Sequence, residues 1–418
     1  MIKQPYLTAD MPGIGGRIKE HLSDFQVEEI PLYLPCGKGT HVYFRIQKAG
    51  VPTHVAIDRI AKYMGQRSMN VGLAGMKDSQ AVTTQMLSLE YADPAKLSRY
   101  HDANIKVLDV SFHTNKLRIG HLAGNKFSIK IRGVGATQLA AAKKILDVLA
   151  ARGVPNYFGQ QRFGSRGDTG ALGAALTRGD LREFAALFLG RSSPADPPDC
   201  RAARDAFDAG YLDRALQRWP RHYVDQRRAL IAYKRRKSPV AVVAAVDKRL
   251  KRLFVSAFQS EIFNDVLSRR IQTFDRLMVG DLAEKIDSGG VFMVENLPFE
   301  QPRAERFEIS PTGPIVGTRI NFAGGEPGKI ELDVLEQYNV SPADFAHIGS
   351  LHSKGTRRSL RFKLLEPQIL AHQDQFGQYL QISFTASSGC YATVALREIM
   401  KDDNLQDQPP DLSEEEVD

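Results

Sequence analysis

The chain has 418 residues, 43% of them hydrophobic and 25% charged, with a formal net charge of +8 and a pI near 9.2. That length points to two domains with ordinary cores. The longest small-apolar run, residues 240–246, is far too short for a membrane span, and residues 1–13 have no apolar core of the signal-peptide kind. Three scattered cysteines, Cys36, Cys200 and Cys390, suit reduced thiols in a cytoplasmic protein. No Cys-x-x-Cys or His-Glu-x-x-His is present, so no metal is expected. His101, His113 and His121 match no ligand spacing and are expected to face solvent.

In chain order, residues 13–16 (Gly-Ile-Gly-Gly) make a poor dinucleotide fingerprint, because no strand precedes them and no apolar helix follows. Residues 41–47 alternate Val42, Phe44 and Ile46 on one face, which predicts a strand. A helix follows, with Thr53 as expected N-cap, Ala56, Ile60 and Met64 on one face, and Gly65 as its stop. Residues 75–81 form a polar loop between the apolar run 71–74 and a strand over 82–90 rich in β-branched residues. Residues 126–132 read as another half-buried strand. Residues 137–153 read as a helix with Leu139, Ala142, Ile145, Leu146 and Leu149 inward.

After Gly153 the character changes. Gly-rich turns lead into Ala-rich helical sequence, then to a Pro-rich break at 193–198. A long helix is predicted over 253–271, with Phe254, Phe258, Ile262 and Val266 at spacing four. Residues 280–350 look β-like and Gly/Pro-punctuated. Residues 379–388 alternate as a strand, and residues 391–400 read as a short helix. No internal repeat is visible.

Charge is unevenly spread. The tail 402–418 holds eight acidic residues and no Lys or Arg, so residues 1–401 are about twice as basic as the net charge suggests, and the tail reads as disordered. Residues 221–252 contain eleven Lys/Arg against two Asp, including Lys234, Arg235, Arg236 and Lys237. Lys354, Arg357, Arg358, Arg361 and Lys363 form a second group. Two such clusters favour a polyanionic partner over a merely solvated helix face.

The loop 75–81 carries one carboxylate, Asp78, mounted between strands. Alone it is an ordinary turn residue. The string Gly75-Met76-Lys77-Asp78-Ser79-Gln80-Ala81-Val82-Thr83-Thr84-Gln85, however, resembles the signature of the TruD family of tRNA pseudouridine synthases. Further segments resemble the same family: Gly16-Arg17-Ile18-Lys19 with Ser23-Asp24-Phe25-Gln26-Val27-Glu28-Glu29, Lys116-Leu117-Arg118-Ile119-Gly120 through Gly124-Asn125-Lys126-Phe127, Val154-Pro155-Asn156-Tyr157-Phe158-Gly159-Gln160-Gln161-Arg162-Phe163-Gly164, Gln259-Ser260 with Phe263-Asn264, and Gly389-Cys390-Tyr391-Ala392-Thr393 with Arg397-Glu398. The likeness covers nearly the whole chain up to the acidic tail.

The resemblance implies an α+β fold. A pseudouridine-synthase catalytic domain with a mixed, largely antiparallel sheet, split over 1–152 and 363–401, would be interrupted by an α/β TRUD insertion domain at 153–362. It implies tRNA as partner, uridine at position 13 as target, no cofactor, and no obligatory protein partner. Asp78 is then the catalytic carboxylate, acting at ribose C1′ or uracil C6, which the residues leave open. Lys19 is the implied cation that offsets the cost of burying it ionised. Phe127 is the implied ring against the extruded base, with Phe25 and Tyr391 as pocket aromatics and Asn125 orienting the base or the loop. Phe127 alone would equally be strand core. Three other readings stay open: an RNA-binding protein with dispensable catalysis, a pseudouridine synthase for another RNA, and a base-excising glycosylase.

Overall fold

The computed structural model describes residues 4–346, 351, 353–403 and 405. It divides into two compact units, one spanning Pro155–Arg361 and the other built from Tyr6–Val154 together with Phe362–Leu405.

The split unit is organised by one mixed sheet. Its first six strands are β1 (Phe25–Pro31), β2 (His41–Ala49), β3 (Gly72–Leu73), β4 (Val82–Glu90), β5 (Ile105–His113) and β6 (Leu122–Arg132). A late hairpin, Leu365–Asp374 and Gly377–Ser387, adds two more. From that hairpin the order runs to β6, β1, β4, β2 and β5, with β3 paired to β4. Only β1 and β4 pair in parallel. The other contacts are antiparallel, including β1 with β6 and the hairpin with β6.

The alternation read in β2 puts Val42, Phe44 and Ile46 into a core shared with Ile57, Ile60 and Ala61 of the helix Thr53–Met64. Gly65 ends that helix in the left-handed conformation, φ 72°. The expected N-cap is corrected: Pro52 holds that position without a side-chain bond, and Thr53 is the first helical residue. Its hydroxyl is turned to the loop before β4 instead. The helix Ala136–Arg152 buries Ala142, Ile145, Leu146 and Leu149, with Leu139 only partly covered.

The continuous unit is mainly helical. The long helix Lys248–Arg270 buries Phe254, Phe258, Ile262 and Val266, as its spacing predicts, and joins a core with Phe184, Phe188 and Trp219. A four-stranded sheet follows, ordered Thr356–Ser359, Ile309–Ile315, Leu282–Lys285 and Val291–Met293, antiparallel throughout. The β-like reading of residues 280–350 is incomplete, because helices Leu297–Glu305 and Gly325–Gln337 lie there too. Pro298 occupies the first turn of the former, where its missing N–H is no loss.

Two expectations about surface groups change. His101 is exposed, but His113 and His121 are half-buried around Tyr33: its hydroxyl lies 2.7 Å from His121 Nδ1, and His113 stacks on its ring. Of the second basic group, Arg357 turns a covered side chain onto Glu331 at 2.6 Å and Arg361, buried, donates to the Ala304 carbonyl at 2.6 Å, so both are scaffold. The start of the acidic tail is ordered: Asp403 accepts from the Tyr6 hydroxyl at 2.6 Å and pairs with Arg397 at 2.8 Å. Residues 404 and 406–418, on which the expectation of disorder mostly falls, lie outside the described residues.

Candidate active site

Asp78 lies in the turn that joins β3 to β4. One carboxylate oxygen, Oδ1, accepts from the Gln80 N–H at 2.9 Å, an Asx turn that fixes its direction. The other, Oδ2, is ion-paired with Lys19 Nζ. The Lys19 side chain is 6% exposed, whereas that of Asp78 is 26% exposed, so the carboxylate remains open to a ligand.

Lys19 is brought there by the strand-like arm before β1. Arg17 and Arg132 exchange main-chain bonds, Arg17 N–H to Arg132 O at 2.9 Å and Arg132 N–H to Arg17 O at 2.7 Å. Gly16 permits this approach, because a Cβ there would stand 2.6 Å from the Ile131 side chain. Lys19 itself has φ 59°, a left-handed backbone that a lysine adopts at a cost of about 1–2 kcal/mol. Strain of this kind gathers at functional sites.

The aromatic candidates adjoin this pair. Lys19 Nζ stands 4.5 Å from the Phe25 ring centroid. Phe25 meets Phe127 edge-on at 6.5 Å, and Phe127 meets Phe384 at 5.3 Å. Register explains the grouping. Val27 opposes Phe127 and Glu29 opposes Asn125 on β6, while Phe384 and Ala386 oppose the same two residues from the hairpin. Inward residues of neighbouring strands thus fall on one face. Phe127 is 7% exposed, so packing accounts for most of its surface. Asn125 Oδ1 is buried with no hydrogen-bond partner among the described residues. Tyr391 comes from a different place, the N-cap of the helix Ala392–Met400. It follows Ser388, whose N–H donates to Ala123 O at 3.2 Å, two residues before Asn125.

Other groups at the loop were invisible in the sequence as site residues. Glu29 Oε2 and Lys77 Nζ form an ion pair of 2.7 Å, with side chains 1% and 5% exposed. Glu29 Oε1 also accepts from the Met86 N–H at 3.1 Å. Thr53 Oγ1 accepts from the Lys77 N–H at 3.0 Å and lies 3.2 Å from Lys77 O and from Gln85 Oε1. The available signal was the run of polar residues at inward strand positions, Lys48, Thr83 and Gln85, all buried. Among the described residues no cluster of His, Cys, Asp and Glu is placed to hold a metal, and no helix is long and apolar enough to cross a membrane. Cys36 and Cys200 are free thiols.

Fold and site together define an α+β protein of the kind solved for the putative tRNA pseudouridine synthase D of Methanosarcina mazei. The two superpose with a TM-score of 0.84 at 28% identity, covering 95% of this chain and 96% of that one. Residues 1–399 match the family model described as tRNA pseudouridine synthase D (TruD). The tRNA pseudouridine synthase D of Geobacter sulfurreducens is 42% identical over 95% of this chain and 96% of its own, and that of Anaeromyxobacter dehalogenans is 37% identical over 96% and 98%. The chain belongs to the TruD family.

Proposed function

We propose that this chain isomerises uridine to pseudouridine in tRNA, with the uridine at position 13 as target, and that Asp78 starts the reaction. The observation that carries the reading is the Lys19–Asp78 pair: a carboxylate held at both oxygens, beside a buried cation, yet a quarter exposed. The reaction breaks the bond from ribose C1′ to N1 and forms one from C1′ to C5. The C5 proton is lost and N1 gains one, so the product is an isomer. The ionised Asp78 begins it at C1′ or C6, and the scheme calls for no metal or organic cofactor. Lys19 supplies the counter-charge that offsets the cost of displacing water from the carboxylate. Phe25 and Phe127 form an apolar wall for the extruded base, Tyr391 a further aromatic contact, and Asn125 Oδ1 an acceptor for a base N–H.

In the same reading, residues 1–152 and 363–401 are the catalytic domain and residues 153–362 a TRUD insertion domain. Its contact with tRNA phosphates falls to the end of the helix Val224–Arg236, where Lys234, Arg235, Arg236 and Lys237 are all exposed.

The test is site mapping of pseudouridine on bulk tRNA incubated with the wild type or with Asp78→Asn. Wild type is expected to place pseudouridine at position 13, and the variant to lose more than about 10³-fold in turnover with tRNA affinity within a few fold. Pseudouridine at another position would retire the target. Substantial turnover by the variant would retire Asp78. Free uracil and an abasic ribose would mark a glycosylase.

A further inference from the structure

The loop bearing Asp78 is held from below by a lysine for which the reaction has no direct use. Lys48 continues the inward face of β2 after Val42, Phe44 and Ile46. It is 1% exposed. Its strand position lies in a row across the sheet: Lys48 opposes Thr83, Thr83 pairs with Val27, Val27 opposes Phe127, and Phe127 opposes Phe384. An ammonium in such a row loses its hydration, which costs several kcal/mol unless strong acceptors replace water.

Main-chain carbonyls are among its acceptors. Lys48 Nζ donates to Val51 O at 2.7 Å, to Asp78 O at 3.0 Å and to Lys77 O at 3.3 Å. Two of the three belong to the loop, and one is the carbonyl of Asp78 itself. Thr53 holds the peptide just upstream through the Lys77 N–H. Residues 74–81 lie outside the strands, so no ladder bonds fix them. Side-chain bonds replace the ladder. Lys48 and Thr53 fix the main chain, while Lys19 and the Gln80 N–H fix the carboxylate.

The geometry points to Lys48 as a positioning residue for catalysis, aided by Thr53, that aims the Asp78 carboxylate by anchoring its carbonyl and that of Lys77. This rests on the reading of Asp78 as the reacting group. Lys48 touches no substrate. Its removal lets the loop shift, and a displacement of about 1 Å at a reacting atom is enough for about a 10²-fold loss in rate.

The experiment compares wild type with Lys48→Met, Lys48→Arg, Thr53→Val and Asp78→Asn, reading kcat and KM on tRNA alongside thermal melting. Lys48→Met, nearly the same in volume, is expected to lower kcat about 10²-fold with KM within threefold, in protein that still melts cooperatively above the assay temperature. Lys48→Arg, which keeps a cation and donors, is expected to recover at least tenfold of that loss. Thr53→Val should fall between. A folded Lys48→Met with kcat within threefold of wild type overturns the inference, as does a loss confined to KM. If Lys48→Met does not fold, the other two decide, and wild-type kcat in both overturns it. A fully active Asp78→Asn would instead show that the reading of Asp78 has failed.

Discussion

Two ion pairs, one in each compact unit, show what separates a scaffold from a site. In the continuous unit Arg270 grips Asp281 with both ends of its guanidinium, at 2.8 and 3.1 Å, and the side chains are 3% and 1% exposed. Asp281 also accepts from the Met278 N–H at 2.8 Å, so its oxygens are committed within the fold. In the split unit the Lys19 side chain is nearly as covered as that of Arg270, 6% exposed against 3%, but Asp78 at 26% is not: the pair is closed at the cation and open at the carboxylate. A scaffold pair is covered at both partners, whereas this candidate site pair leaves its carboxylate partly open to solvent.

Substitution of the two cations should break that comparison cleanly or refute it. Arg270→Met strands a buried carboxylate and is expected to cost about 3–5 kcal/mol of unfolding free energy, with unchanged activity per folded molecule. Lys19→Gly should do the reverse. Relief of the left-handed backbone offsets the lost side-chain contacts, so stability stays within about 1 kcal/mol of wild type while kcat falls more than about 10²-fold. Denaturant titration and turnover on one set of preparations read both. Equal stability losses would erase the distinction.

A smaller effect is expected at the exposed charges. Lys234 already pairs with Asp213, which leaves Arg235, Arg236 and Lys237 to meet phosphate. Changing all four to glutamine should weaken tRNA binding at low salt and flatten the plot of log Kd against log salt by about 2. An unmoved slope would reduce this cluster to a solvated helix end.

Smallest is the effect at a carboxyl raised by burial. Glu261, on the same long helix as Arg270, packs against Gly170, and burial pushes its carboxyl above the usual range. A group whose folded pKa is raised contributes stability below its unfolded pKa, near 4.3, and that contribution is lost as pH rises through the folded value. Glu261→Gln removes the dependence. Its melting temperature at pH 8 should exceed wild type by about 2 °C, with the advantage vanishing near pH 4. A wild-type advantage at pH 8 would contradict this.

The elements legible in the sequence were those whose inward residues repeat: the alternation in β2, β6 and the strand Gly377–Ser387, and the spacing of four in Lys248–Arg270. The helices Leu297–Glu305 and Gly325–Gln337 hid behind Pro298, Pro302 and Gly325, which resemble breakers unless their place in the turn is known. At the site, Asp78, Lys19, Phe25, Asn125 and Phe127 were legible through family resemblance, since nothing in their spacing brings residue 19 to residue 78. Lys48 and Thr53 were not. What ties them to the Asp78 loop is its own backbone, the carbonyls of Lys77 and Asp78 and the Lys77 N–H, and main-chain groups leave no mark in an amino-acid sequence.

The division of the eight-stranded sheet also has a consequence for synthesis. Lys19, Asp78 and Phe127 leave the ribosome early, but the strand that flanks β6 on its far side, with Phe384, follows about 250 residues later, after Pro155–Arg361. At about 5–20 residues per second that delay is about 12–50 s. Through it β6 presents an unpaired edge, which invites pairing with other chains. A nascent chain of this design holds Lys19, Asp78 and Phe127 before the ring of Phe384 that packs on Phe127, and early compaction of the intervening unit would shorten the time its open edge spends searching for the right strand.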